Sequence, residues 1–139
     1  MPKLQHGTLA LTVPVGWVDV TEVALVAEPD EGFRPNLSVV RETLVPNEDA
    51  RGYAARQLPK LAESLPEYKL IRERDAVYGW LSGVEREHSF VIEGQRFAQL
   101  HFYVAHQGIA YTFSLTHAEA RAAALPQLAT QLLSTVEWR

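Results

Sequence analysis

Two dipeptides, Glu93-Gly94 and Gln107-Gly108, constrain this chain more than any other feature. They separate three alternating apolar runs, over residues 80–92, 95–106 and 109–116. An X-Gly pair in that setting marks a tight hairpin turn, and a tight turn fixes strand register. Register decides which side chains share a face, because successive residues of a strand point to opposite sides. Across the second turn Leu100 falls opposite Leu115, Phe102 opposite Phe113 and Val104 opposite Tyr111, which makes a core face. The other face carries Gln99, His101, Tyr103, Ala105, Ala110, Thr112 and Ser114; the first turn adds Arg86, His88 and Phe90. Small, aromatic and neutral hydrogen-bonding side chains mix there, with Arg86 as the one permanent charge. Such a face suits a partner bound through hydrogen bonds and aromatic contact. A solvated polar face is the plain alternative.

Upstream, residues 8–13 alternate as a half-buried strand, ended by the turn Pro14-Val15-Gly16-Trp17. Residues 18–27 are apolar and β-branched, a second strand broken near Thr21-Glu22. A loop by composition spans residues 28–35, and residues 36–44 make a third strand. Asn47 or Asp49 caps a helix that runs to about Leu65, with Tyr53, Ala54, Leu58, Leu61 and Leu65 at helical spacing. Pro59 lies inside it, which predicts a kink or break near Gln57-Leu58. A strand over residues 68–76 leads into the hairpins. The Ala-rich stretch from Ala118 to about Glu137 is a second helix, and Pro126 starts a new segment in it. Consecutive strands with only two helices predict an α+β fold: an antiparallel sheet with both helices packed on one face, that of Leu100, Phe102 and Val104. The opposite face is then open. The whole of residues 1–139 reads as a single domain.

Composition narrows the function classes. A net charge of −4 and the absence of any long Lys/Arg cluster argue against nucleic-acid binding. With no cysteine there is no disulfide, zinc-thiolate site or thiol nucleophile. The first residues lack the apolar run of a signal peptide, and no stretch approaches the ~20 apolar residues of a membrane span. A soluble cytoplasmic protein is the resulting expectation.

Catalytic constellations are weak. His88 and His101 are diagonal neighbours, but a metal needs a third ligand, for which Glu22 and Asp19 are the only candidates, and Arg86 repels a cation. Ser114, His101 and Asp75 make a triad on paper only, since no Gly-x-Ser-x-Gly elbow surrounds a serine. No phosphate-binding glycine loop occurs. Glu85 and Glu87 read as solvated. Trp17, Trp80 and Trp138 read as packing or rim residues, with ligand stacking as a second role for Trp17.

Several segments together resemble the DcrB-like domains, and within them the Eag chaperones of type VI secretion effectors. They are Pro14-Val-Gly-Trp17-Val-Asp19, Asn36-Leu-Ser-Val-Val-Arg41-Glu42, Tyr53-Ala-Ala-Arg56-Gln57-Leu58, Leu65-Pro66-Glu67-Tyr68-Lys69-Leu70, Gln99-Leu-His101-Phe-Tyr-Val, and Thr116 ahead of the last helix. The resemblance implies a PsbP-like fold, a homodimer, no catalysis and no cofactor. It also implies a cytoplasmic holdase that binds hydrophobic transmembrane segments of an effector in a sheet-face groove. Gln57 and His101 fall where the family places glutamine-like groove residues. The cargo-binding set is then Val23, Leu25, Val40, Gln57, His88, Gln99, His101 and Tyr103. His101 is expected neutral under cargo, with affinity weakening below about pH 6. Glu22 and Ser38 interrupt the aliphatic pattern of the groove, so its strand register is shifted by one residue or its lining is more polar. A stand-alone DcrB-like module for a ligand or envelope component is the second reading; a hydrolase or metalloenzyme is the third.

Overall fold

A computed structural model describes residues 2–139. A hairpin of β1 (Lys3–His6) and β2 (Leu9–Thr12) forms a two-stranded sheet of its own. The main sheet has six strands: β3 (Val23–Val26), β4 (Asn36–Thr43), β5 (Lys69–Tyr78), β6 (Leu81–Ile92), β7 (Gln95–His106) and β8 (Ile109–Ala118). Their order across the sheet is β3-β4-β8-β7-β6-β5, and every neighbouring pair is antiparallel. The fold is α+β with an antiparallel sheet and two helices, α1 (Ala50–Ser64) and α2 (Leu125–Leu133). A 3₁₀ segment, Glu119–Ala124, precedes α2, and Pro126 opens that helix as its spacing required.

The two X-Gly turns set the centre of the sheet. Glu93 and Gly94 have φ of 51° and 77°, and Gln107 and Gly108 have 50° and 78°. Positive φ at both central residues is the type I′ geometry, whose twist matches that of the strands it joins. Leu100 pairs with Leu115, Phe102 with Phe113, Val104 with Tyr111, Arg86 with His101 and His88 with Gln99. Each of these registers follows from the turns.

The helices, however, lie on opposite faces. α2 buries Leu125, Ala129 and Leu133 against Leu37, Leu81, Leu100, Phe102, Phe113 and Leu115. α1 instead crosses β6 and β7 on the other face, where Tyr53 and Ala54 pack on Val84, Tyr103 and Ala110. The expected packing of both helices on one face is therefore corrected. Alternation specifies two faces that each need cover, and a face lined by Val84, Phe90, Tyr103 and Ala110 holds enough apolar surface to recruit the short stripe of α1. Nor does α1 break at Pro59. Proline removes the donor to the Ala55 carbonyl, and Ala55 is exposed, so water satisfies that group.

Three smaller expectations also change. β1 has no counterpart in the sequence reading, and β3 keeps only the last part of the stretch 18–27. Trp17 is 74% exposed and anchors no core. Glu85 is not solvated: it is buried on the α2 side, where Arg74 Nε donates to it at 2.8 Å and the Tyr78 hydroxyl bonds to it.

Candidate functional site

The face opposite α2 divides into a covered half and an open half. Under α1 lies a chain of polar side chains anchored by Arg86, which is fully buried. Its Nη1 donates to the Tyr103 hydroxyl at 2.9 Å, its Nη2 to the Ala54 carbonyl of α1 at 2.7 Å, and its Nε and Nη2 to Glu73 Oε1 at 3.0 and 2.6 Å. The Tyr103 hydroxyl meets His101 Nδ1 at 3.0 Å. The His88 and His101 rings stand edge to face with centroids 4.6 Å apart. His88 Nε2 lies 2.8 Å from Gln99 Oε1, and Gln99 Nε2 donates to Thr116 Oγ1 at 3.0 Å. Donor and acceptor roles follow. Arg86 can only donate, so the Tyr103 oxygen accepts from it and passes its own proton toward His101 Nδ1. The Gln99 amide faces Thr116, so its carbonyl takes the Nε2 proton of His88. Both imidazoles are neutral in this scheme.

Electrostatics agree. Burial holds the His88 pKa down, to about 4, with the Arg86 charge acting in the same direction. His101 lies well below the ordinary histidine value, through burial and then the neighbouring His88 and Arg86. Burial raises the Tyr103 hydroxyl to about 12. His101 is thus neutral without any cargo over it, and its titration lies below the expected pH 6 threshold. Three polar atoms in this half lack a hydrogen-bond partner among the described residues: His88 Nδ1, the Tyr68 hydroxyl and Gln57 Nε2. The Tyr68 ring packs on His88 at 4.9 Å.

The open half lies over β3, β4 and β8. Alternation brings Asn36, Ser38, Val40 and Glu42 of β4 to this face, beside Thr116, Ser114, Thr112 and Ala110 of β8. Asn36, Ser38, Val40, Ser114 and Thr116 are half-buried, so they line a shallow trough. Glu42 closes one end by accepting the Tyr53 hydroxyl at 2.6 Å. β3 contributes Ala24 and Val26, opposite Ser38 and Asn36.

Of the expected cargo residues, Val40, Gln57, His88, Gln99, His101 and Tyr103 therefore share one side of the sheet. Val23 and Leu25 do not. Val23 pairs with Val39 and Leu25 with Leu37, and both point to the α2 side. The register was off by one because β3 and β4 are joined by a loop, with no tight turn to fix parity. Leu25 instead lines an apolar slot of about 200 Å³ with Leu37, Leu115, Leu128 and Leu132. Within the expected set, His88 and Tyr103 are buried, His88 beneath the Tyr68 ring and Tyr103 beneath Tyr53 of α1, so neither touches a ligand directly in this state. Ser38, Asn36, Glu73 and Tyr68 were missed as site residues. The alternation Asn36, Ser38, Val40 carried that signal for the first two; nothing local marked the others. Among the described residues no group of three His, Cys, Asp or Glu side chains is placed to hold a metal. Among them, too, no helix is long and apolar enough to cross a membrane.

Residues 8–135, nearly the whole chain and all of the main sheet, match the DcrB family. The chain belongs to the DcrB family. No curated protein matches this DcrB-family sequence. Solved structures give its fold. It is similar to PA94 of Pseudomonas aeruginosa, described as a protein of unknown function and candidate regulator, with a TM-score of 0.81 at 18% identity over 100% of this chain and 97% of that one. It is similar to the cyanobacterial PsbP protein CyanoP of Synechocystis sp. PCC 6803, with a TM-score of 0.55 at 14% identity over 93% and 98%. LpqN of Mycobacterium tuberculosis, involved in cell envelope biogenesis, aligns with a TM-score of 0.50 at 15% identity over 86% and 76%. The architecture is thus PsbP-like.

Proposed function

We propose that this DcrB-family protein is a non-enzymatic chaperone or adaptor. In this reading it acts in the cytoplasm and holds hydrophobic, membrane-spanning segments of a type VI secretion effector against the open half of the sheet. The observation that carries it is the trough itself, in which Val40, Ala24 and Val26 alternate with Asn36, Ser38, Ser114 and Thr116. Neutral donors and acceptors among aliphatic side chains suit an apolar helix whose few exposed backbone groups need partners out of water. Gln57 adds a buried amide with no partner of its own. The histidines are engaged as neutral groups in a relay with Arg86 and Tyr103, and Ser114, which sits opposite His101 on the same face, lies outside that relay.

A homodimer belongs to the same proposal. The two sheet edges differ. β5 is guarded by Lys69, Arg72, Glu73, Arg74 and Asp75 and by an irregularity between Leu70 and Arg72. β3 carries no charge, and its Val23, Leu25 and Val26 are more than half exposed. An unguarded apolar edge is the ordinary place for a second chain to dock. Light scattering should give twice the chain mass, reduced to one by Val23→Lys with Val26→Lys.

Co-expression with an effector's N-terminal hydrophobic region, at neutral pH, tests the main proposal. A soluble complex should co-elute on size exclusion and be lost in Val40→Asp with Ser114→Arg, whose circular dichroism should be unchanged. If the folded protein captures no such segment, the alternative gains: a module for a ligand or an envelope component. The hollow beside Trp17, about 660 Å³ and lined by Leu4, Leu11, Val13 and Val20, would be its site. That hollow is an open surface groove, since Val20 is 79% exposed and Trp17 almost as much.

A further inference from the structure

We propose that α1 is an acid-released cover over the polar half of the sheet, swinging away from β6 and β7 while the α2 side stays packed. Any extension of the binding surface that this movement exposes beside the trough rests on the chaperone proposal; the movement itself does not.

The cover is held by few apolar contacts and by three polar ties, one of which ends on the buried Arg86 beside the histidines. Only Tyr53 and Ala54 of α1 are buried. The remaining ties are Arg86 to the Ala54 carbonyl, the Tyr53 hydroxyl to Glu42, and the ion pair of Arg51 with Asp75. Arg56 pairs with Glu48 at 2.8 Å and stacks over the Tyr53 ring, so it braces α1 from outside.

The polar and charged groups around the histidines come from several elements. α1 presents Tyr53 and Gln57; the turn before β5 presents Tyr68; β5 presents Glu73; β6 presents Arg86 and His88; β7 presents Gln99, His101 and Tyr103; β8 presents Thr112 and Thr116. Among the described residues Glu73 is the single carboxylate bonded to Arg86, and it already accepts from that guanidinium twice. A proton on His101 Nδ1 removes the acceptor of the Tyr103 hydroxyl proton, which must turn away from it, and adds a charge next to Arg86. A proton on His88 Nδ1 meets no acceptor among the described residues. Either event places a second cation beside the buried Arg86, whose charge Glu73 balances from the partly exposed edge of the site. Repulsion of that kind is relieved by admitting water, and water enters along α1, which buries only Tyr53 and Ala54 against the sheet.

The sign follows from linkage. The closed form holds His88 neutral down to about pH 4, whereas a hydrated histidine titrates near 6.5. The open form binds the proton more tightly, so closure is favoured above about pH 6.5 and weakens as pH falls toward 4. At about pH 5 the opening equilibrium rises roughly thirtyfold from His88 alone, and His101 adds in the same direction.

Hydrogen–deuterium exchange on the chain alone, at about pH 7.4 and about pH 5 with times scaled for intrinsic rates, tests this. Amides of residues 50–64 should open roughly thirtyfold more at the lower pH. Those of α2 and of β8 should change far less. His88→Gln with His101→Gln should abolish the difference. Equal protection of α1 at both pH values overturns the proposal, as does opening of both faces together or a rise that persists in the double variant. Where the double variant fails to fold, proton NMR of the unaltered chain decides: both histidines should titrate well below 6.5 together with α1 resonances, and a histidine titrating near 6.5 with α1 unmoved overturns it. Loss of cargo binding at neutral pH sinks the chaperone proposal and leaves this one standing; a cargo complex with an α1 indifferent to pH does the reverse.

Discussion

The sheet has two covered faces, held by opposite chemistry. Beneath α2, leucines and phenylalanines from four strands interlock, and Glu85, the one buried carboxylate among the described residues, is met by Arg74 and Tyr78. Beneath α1, a handful of apolar groups surrounds a buried guanidinium, two imidazoles and three polar atoms without partners. The first face is held mainly by apolar contact, which does not depend on protonation. The second is stable only while each proton sits where the relay needs it. A molecule built this way keeps a scaffold on one side and a working surface on the other, which is the physical reason to look for binding on the α1 side.

The largest test breaks the scaffold. Phe102 is fully buried, with Tyr78 edge-on at 5.1 Å. Phe102→Ala should cost about 3–5 kcal/mol in chemical denaturation. The loss should be global, moving fluorescence and circular dichroism together. A cost below about 1 kcal/mol would mean that the α2 side is not the scaffold.

Acid should act on the other side. His88 is depressed to about 4, so its stabilisation is intact above pH 6.5 and lost as pH falls toward 4. From pH 7 to pH 4 that loss is about 3 kcal/mol. Asp19, Asp30 and Glu48 are held below their ordinary values by hydrogen bonds and arginines. Their contribution fades only below about pH 4, so the window above it reports the histidines. Denaturation midpoints of the unaltered chain and His88→Gln should converge as pH is lowered through this window; parallel curves would remove His88 from the account.

Removing the anchor is the next test in size. Arg86→Met keeps the volume but leaves Tyr103, the Ala54 carbonyl and Glu73 without their donor. Glu73 is partly exposed and rehydrates, so the cost should be about 2 kcal/mol. Protection of α1 against exchange should fall more than that of α2. An equal loss on both sides would deny the division between them.

How much of this was legible in sequence depended on how locally each feature is encoded. The registers of β6, β7 and β8 were readable because two type I′ turns fix them within four residues. The polar character of the His88, Gln99 and His101 face followed at once. Val23 and Leu25 were misplaced because parity across the loop 28–35 is set by tertiary contacts. Asp30 meets His117 Nε2 at 2.9 Å and Arg121 at 3.0 Å, while Phe33 packs on Phe97 and His117. The two Asp30 bonds span 87 and 91 residues, the Phe33 contacts are long-range too, and no local pattern reports them. The side chosen by α1 was hidden for a related reason. Its stripe is short, and the decisive tie, Arg86 to the Ala54 carbonyl, joins a strand to a backbone group that carries no sequence signal.

The smallest test touches α1 alone. Asp49 has extended φ and ψ of −102° and −176°, and its carboxylate accepts from Gly52 N at 2.8 Å, so it caps the helix. Asp49→Ala should cost about 1 kcal/mol. Because the cap lies outside the relay, its loss should loosen α1 equally at pH 7 and pH 5, whereas Arg86→Met should matter most where the histidines are neutral. Exchange of residues 50–64 in the two variants separates the cases. A cap effect that grows at low pH would show that the first turn of α1 senses the histidines, and the division of the helix into a passive end and a proton-sensitive middle at Ala54 would have to be abandoned.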